Sequence, residues 1–313
     1  MSFISKPKAF GFLYVKYLKK TVNNRHYTIV NPAVLIKSSG TIKLSNGQLL
    51  PFDRHNKNDI VNITIFALEN GIIFGSRKDD WKLYLSKGII ETPSGIRFNI
   101  TNFDPTIMSE TFLNDIHFID FDLRGKVVID AGGFIGDTAL YYADKGAKVY
   151  SFEPNTILYE NAISNLKLNS KISKRVSFEN YALGKDGIAT FPVNPDGSVG
   201  SSIYESNTKQ KLEVKSLSIT AVLKKYKINS PYLLHLDVKG SEFELINDPS
   251  ISKFQRVRIE YSPYLIKGGN NKNNKLAYLT TRLKRAGFNK MRVYKHNYLR
   301  YDLSYHGTID AAK

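Results

Sequence analysis

Between residues 126 and 168 the 313-residue chain runs through a short apolar strand, a glycine-rich turn, a helix, a second strand and a second helix, and no other stretch restricts the fold as much. Lys126-Val-Val-Ile-Asp130 is the first apolar run, Ala131-Gly-Gly-Phe-Ile-Gly136 is the turn, and helical spacing covers 137–145. Lys148-Val-Tyr-Ser-Phe152 is the second strand, and 155–168 reads as the helix after it. The alternation continues, with strands predicted at 176–181, 232–237, 256–261 and 290–294 and helices at 218–226, 242–247 and 274–286. Such alternation needs right-handed crossovers and gives a mostly parallel sheet with helices on both faces. Residues 182–215, rich in Gly, Pro and Ser, read as a hairpin or loop excursion from that sheet.

The first 122 residues have a different rhythm and read as β-rich. Alternation over 34–44 breaks at Ser38-Ser-Gly40. The runs 63–66 and 72–74 flank Glu69-Asn-Gly71, a hairpin signal, and 89–90 and 96–100 flank Thr92-Pro-Ser-Gly95, a second turn. The boundary is placed near Leu123, giving an N-terminal region 1–122 and an α/β domain 123–313. The N-terminal region is expected to bind the substrate or to dimerise.

Hydrophobic residues at 42% are ample for a packed core, and the absence of cysteine excludes disulfides, thiolate metal sites and cysteine nucleophiles. That absence fits a cytoplasmic protein. The formal net charge of +17 is uneven: residues 1–52 hold eight Lys/Arg and no Asp/Glu, and residues 251–313 hold fourteen against three. A field of this sign attracts phosphates, nucleic acid or anionic headgroups, unless the charges are merely scattered over solvated faces. No apolar run approaches the roughly 20 residues that span a bilayer. Phe10, Leu13, Tyr14, Tyr17 and Leu18 recur at helical spacing among Lys16, Lys19 and Lys20, so residues 8–20 would rest on a membrane surface or dock on their own domain.

The turn carries the chemistry. Glycine lets a backbone approach a ligand closely, and the helix N-terminus beyond it offers unpaired N–H groups. Glu153 ends the next strand, where a carboxylate can accept from both hydroxyls of a ribose. Together these make a nucleoside site at the carboxyl ends of parallel strands. Ala131-Gly-Gly-Phe-Ile-Gly136 nearly satisfies a dinucleotide fingerprint, with alanine at its first glycine. Asp130, inside the turn's entrance, instead favours S-adenosylmethionine: an acid there can hold the methionine ammonium directly or through water, and would lie uncomfortably near a pyrophosphate.

Four segments in order resemble the FkbM-type methyltransferases. They are Val128-Ile-Asp-Ala-Gly-Gly-Phe-Ile-Gly-Asp-Thr138, Tyr150-Ser-Phe-Glu-Pro154, Asn180-Tyr-Ala-Leu-Gly184 and Leu233-Leu-His-Leu-Asp-Val-Lys-Gly-Ser-Glu242. The family patterns are V-D-x-G-A-N-x-G-D-T, F-E-P, N-x-A-L-G and L-K-I-D-V-E-G-A-E, and Ser109-Glu-Thr-Phe-Leu113 is similar to their usual lead-in. The resemblance implies a class I methyltransferase fold, with a Rossmann-like seven-stranded sheet whose last strand is antiparallel. It also implies S-adenosyl-L-methionine as cofactor and, usually, O-methyl transfer. On it, Asp130, Gly132, Gly133 and Gly136 line the methionine end, Glu153 and Pro154 the ribose, and Asn180, Tyr181 and Ala182 the adenine.

Methyl transfer to a hydroxyl needs an aligned acceptor and a group to take its proton. Asp237 is the first candidate, Glu242 a second, and His235, on the same strand face as Asp237, either relays a proton or is a satisfied core residue. Glu260 and Tyr261 are expected to open onto the same cleft. Lys239 stands where the family has an acid and His235 where it has a lysine. Lys239 therefore suggests an anionic acceptor, another base, or a degenerate protein that binds without transfer. The remaining histidines show no ligand spacing, so no metal site is argued. The expected acceptor is a small molecule, glycan or lipid headgroup, with Ser201-Ser202 as possible sugar contacts. RNA is the alternative, prompted by Lys284, Arg285, Lys290, Arg292, Lys295 and Arg300 interleaved with Phe288, Tyr294, Tyr298 and Tyr301.

Overall fold

The computed structural model describes residues 38–43, 48–192, 211–238, 240–261, 272–294 and 307–313. The chain divides into two compact units, Met1–Asp115 and Ile116–Lys313.

In the first unit, strands β1 (Gly40–Lys43) and β2 (Leu49–Phe52) pair antiparallel, and β3 (Lys82–Tyr84), β4 (Ile89–Glu91) and β5 (Arg97–Asn99) form an antiparallel meander. The turn at Thr92–Gly95 joins β4 to β5 as expected: Gly95, at φ +88°, donates its N–H to the Thr92 carbonyl, and the Ile96 N–H meets Thr92 Oγ1 at 3.0 Å. The expected hairpin around Glu69-Asn-Gly71 is instead the end of a helix, α1 (Lys57–Asn70). Ile60, Ile63, Thr64, Phe66 and Ala67 are its buried residues, so their spacing has the helical period. Gly71, at φ +65°, is the left-handed residue that closes α1 rather than the tip of a hairpin. Phe66 meets the rings of Trp81 and Phe103 edge to face, at 4.9 and 5.1 Å. A second helix, α2 (Pro105–Phe112), starts on Asp104, whose carboxylate accepts from the Thr106 and Ile107 N–H groups.

The second unit holds β6 (Val127–Ala131), α3 (Asp137–Asp144), β7 (Lys148–Phe152), α4 (Thr156–Leu168) and β8 (Val176–Glu179). The excursion after β8 contains β9 (Ala182–Leu183), β10 (Gly187–Pro192) and β11 (Lys211–Leu217), and β10 and β11 pair antiparallel as the hairpin reading expected. There follow α5 (Ile219–Lys225), β12 (Leu233–Leu236), α6 (Glu242–Leu245), β13 (Arg256–Tyr261), α7 (Lys272–Arg285), β14 (Lys290–Tyr294) and β15 (Gly307–Ala312). Seven strands join in the order β14-β15-β13-β12-β6-β7-β8. All neighbours are parallel except β15, which is antiparallel to both β13 and β14. This is the class I methyltransferase arrangement.

Strand alternation gives this sheet two unlike faces. Ile129, Tyr150, Leu234, Leu236, Val257, Ile259 and Ile309 belong to one apolar core with Val222 and Leu223 of α5 and Leu279 and Leu283 of α7. The other face carries a polar row, because the register sets Ser151 opposite Asp130, Asp130 opposite His235, His235 opposite Arg258, and Arg258 opposite Asp310. All five are buried. Arg258 donates to the Phe118 carbonyl and to the Tyr294 hydroxyl, and Arg256 Nε donates to Asp310 at 2.7 Å.

The close of α5 gives a stability prediction. Ile228 donates to the Leu223 carbonyl at 2.8 Å and Lys227 to the Lys224 carbonyl at 3.2 Å, a Schellman pattern. Its left-handed position, φ +54°, is held by the exposed Lys227. Glycine adopts that backbone without the Cβ penalty, so Lys227→Gly should stabilise the unit by about 1 kcal/mol, or roughly 2–4 °C in melting temperature. A lower melting temperature would count against this account of the cap.

Candidate functional site

The turn after β6 is built by close approaches that only glycine permits. Gly132 has φ +88°, and a Cβ on it would fall 2.0 Å from the Asp237 carbonyl oxygen. A Cβ on Gly133 would fall 2.2 Å from Ser151 Oγ and 2.7 Å from the Phe178 ring. The N–H groups of Gly132 and Gly133 both reach the Phe152 carbonyl, at 3.0 and 3.1 Å, and the Gly136 N–H returns to Gly133 at 2.7 Å. Gly136, at φ +84°, then starts α3. Phe134 is also left-handed, at φ +47°, an unusual state for an aromatic residue. Its N–H is committed to Glu153 Oε2 at 3.0 Å.

Glu153 lies just beyond β7, only 6% exposed. Its second oxygen accepts the Asn155 N–H at 2.8 Å, and Asn155 in turn caps α4 by accepting from Ile157 and Leu158. Burial pushes the Glu153 carboxyl up to about 8, against the pull of the two backbone N–H groups and with help from Asp130 and Asp237. Two N–H groups thus aim a carboxyl whose remaining lone pairs suit a pair of hydroxyl donors. A backbone cradle that a Cβ would fill, beside an oriented buried carboxyl, fits the ribose and methionine portions of S-adenosylmethionine.

Asp130 is placed differently from the expectation that it holds an ammonium. It is 0% exposed, and its carboxylate accepts Thr138 Oγ1 at 2.9 Å, Ser151 Oγ at 2.7 Å and His235 Nδ1 at 2.8 Å. No surface of Asp130 is open to a ligand in this conformation, and the side chain braces the turn from beneath. Asn180 likewise turns inward. Its Nδ2 donates to the carbonyls of Glu153 and Pro154, at 2.9 and 3.0 Å, so the amide expected at adenine ties the Glu153 loop to the end of β8. The ammonium groups of Lys225 and Lys215 lie 4.4 and 5.3 Å from the Tyr181 ring, and Pro154, Tyr181 and Ala182 are half-buried.

The acceptor-side residues separate. Asp237 is partly exposed, and its N–H donates to Ala131 at 3.0 Å, which keeps it against the glycine turn. His235, 1% exposed, lies inside the sheet rather than at its end, as a satisfied core residue would. Glu242 is 0% exposed and folds back to accept the Gly240 N–H at 2.5 Å, so it closes its own turn. Glu260 is 8% exposed and paired with Thr308. Tyr261 does not share a cleft with it: alternation sends Tyr261 to the apolar face, where it is part of the core. Lys239, Ser201-Ser202 and residues 8–20 lie outside the described residues. Of the aromatics suggested for RNA stacking, Phe288 is buried and the Tyr294 hydroxyl is bound to Arg258, while Tyr298 and Tyr301 lie outside the described residues. Among the described residues no helix is long and apolar enough to cross a membrane, and no group of three or more His, Asp or Glu is set to hold a metal ion.

Sequence reasoning missed Thr138, Ser151 and Asn155. Alternation from Asp130 across to Ser151 was the available signal, and a cap position before 156 was the signal for Asn155.

No curated protein matches the chain. Among solved structures it is similar to the METTL16 methyltransferase domain, at 12% identity over 99% of this chain and 94% of that one, with a TM-score of 0.44. It is also similar to precorrin-6y C5,15-methyltransferase of Geobacter metallireducens GS-15, at 12% identity over 67% and 89%, with a TM-score of 0.38. TYW2 of M. jannaschii in complex with AdoMet gives 13% identity over 77% and 88%, and a TM-score of 0.39. These likenesses are too distant to carry function, and the strand order above defines the fold without them. The model of the methyltransferase FkbM domain matches residues 130–290, just over half of the chain and the whole stretch from the braced turn to the start of β14. The chain therefore belongs to the FkbM methyltransferase family.

Proposed function

We propose that the protein transfers a methyl group from S-adenosyl-L-methionine to a hydroxyl oxygen of a small molecule, glycan or lipid headgroup. When bound, the cofactor supplies an activated methyl group. Glu153 would hold its ribose, and the backbone of Gly132 and Gly133 would lie against its methionine portion. The observation that carries the acceptor half is Asp237, which combines partial exposure with a direct backbone bond to the turn. A carboxylate there would take the hydroxyl proton as the oxygen attacks. Lys239, two residues on, favours an acceptor that itself carries a phosphate or carboxylate. The burial of Phe288 and the commitment of Tyr294 weaken the RNA alternative.

Incubation of the protein with methyl-labelled cofactor and a fractionated cell extract should put label into the glycan, lipid or small-metabolite fractions. Label that stays in precipitated RNA would sink the acceptor assignment. Asp237→Asn should lower kcat by roughly 100-fold or more while S-adenosylhomocysteine binds within about threefold of wild type. A kcat within threefold of wild type would remove Asp237 as the base.

A further inference from the structure

Asp130, His235 and Thr138 form a unit that the chemistry above leaves unused. A carboxylate only accepts, so the hydrogen between Asp130 Oδ1 and His235 Nδ1, 2.8 Å apart, belongs to the imidazole. Through its other oxygen the same carboxylate holds Thr138, in the first turn of α3, and Ser151, on β7. The segment 131–137, which contains the whole glycine turn, is therefore clamped at both ends by one buried side chain. His235 is itself fixed. The rings of His117 and Tyr142 lie 5.0 and 5.8 Å from it, both edge-on, and it sits two residues before Asp237 on β12. It thus couples β12, which leads into Asp237, to the residue that shapes Gly132, on which a Cβ would fall 2.0 Å from the Asp237 carbonyl oxygen.

We infer that His235 is a positioning residue for the cofactor, setting the geometry of the glycine turn through its hydrogen bond to Asp130. It touches neither cofactor nor acceptor. Its effect falls on cofactor affinity because the segment it clamps is the one read as lying against the methionine portion. The inference rests on the cofactor half of the proposed reading and is independent of the acceptor.

Two substitutions separate the hydrogen bond from mere packing. Asparagine presents an N–H close to where Nδ1 lies, whereas leucine fills similar space without a donor. His235→Asn should bind S-adenosylhomocysteine within about threefold of wild type by calorimetry. His235→Leu should bind roughly tenfold more weakly, with KM for the cofactor raised to match and kcat at saturation little changed. In an Asp130→Ala background, which has no acceptor for the imidazole, the leucine effect should shrink to under about threefold, since both changes remove one interaction. Equal affinity of the leucine variant and wild type would overturn the inference, as would an asparagine variant as weak as the leucine one. If the leucine variant fails to fold, His235→Gln, whose amide donor reaches toward the Nε2 rather than the Nδ1 position, takes its place in both comparisons, and wild-type affinity of that variant overturns the inference. Failure of wild type to bind S-adenosylhomocysteine would instead remove the cofactor reading itself.

Discussion

Glu153→Ala should raise the Kd for S-adenosylhomocysteine by roughly 100-fold, the largest affinity loss expected of any single side chain in the site. Hydrogen bonds to a charged acceptor contribute about 1.5–3 kcal/mol each, and two ribose hydroxyls would lose theirs, so about 3 kcal/mol is the lower figure. The ionisation of Glu153 adds a pH signature. Its folded-state value is raised from 4.5 to about 8, so between those values the folded chain retains a proton that the unfolded chain releases. Stability therefore falls as pH rises through that window, and Glu153→Ala should abolish this fall. The carboxylate that accepts two ribose hydroxyls is the ionised form, so wild-type affinity should weaken as pH drops below about 8. The alanine variant should lack this component. Calorimetric titrations of both proteins across this range check the claim, and a variant that binds as tightly as wild type would refute the ribose assignment.

Gly132→Ala should be the most damaging single change to the fold of this unit. A Cβ would lie 2.0 Å from the backbone oxygen of Asp237, and φ is +88°. The obstacle is backbone and does not swing aside like a flexible side chain. The left-handed penalty of about 1–2 kcal/mol adds to an overpacking cost of about 1–3 kcal/mol, for a loss of roughly 3 kcal/mol. In a unit of this size that is a drop of roughly 6–12 °C in melting temperature, with cofactor binding lost as the turn moves off Asp237. Thermal unfolding with and without S-adenosylhomocysteine measures both. A variant that melts and binds like wild type would show that the approach of these two segments is not rigid.

The sheet was readable because its short strands alternate with helical stretches along the chain, and β7, β13 and β14 begin and end where the pattern does. β15 escaped the pattern because Gly-Thr-Ile-Asp-Ala-Ala is rich in small residues and has one large apolar side chain, and only the family resemblance implied such a strand. The error at 63–74 has a definite cause. Ile63, Phe66 and Ala67 satisfy a helix, but the apolar runs on either side of Asn70-Gly71 imitate the arms of a hairpin, and glycine closes helices as readily as it turns strands. In the site, the residue types were legible and their directions were not. Asp130, Asn180 and Glu242 all look like ligand groups, yet each spends its polar atoms on the protein, because a buried carboxylate or amide takes the nearest available partners. Glu260 and Tyr261 are adjacent in sequence and so point to opposite faces, which the alternation rule alone was enough to foresee.

The position of β15 has a consequence for how the molecule comes into being. Residues 307–312 fill an interior place in the sheet, between β13 and β14, although they are made after both. A nascent chain that has reached Tyr294 therefore carries two strands whose ladder edges await a partner still to be synthesised. Unpaired edges of this kind recruit other chains. The sheet thus closes only after residues 307–312 have been made, and until then the open ladder edge of β13 is the surface a chaperone would have to cover.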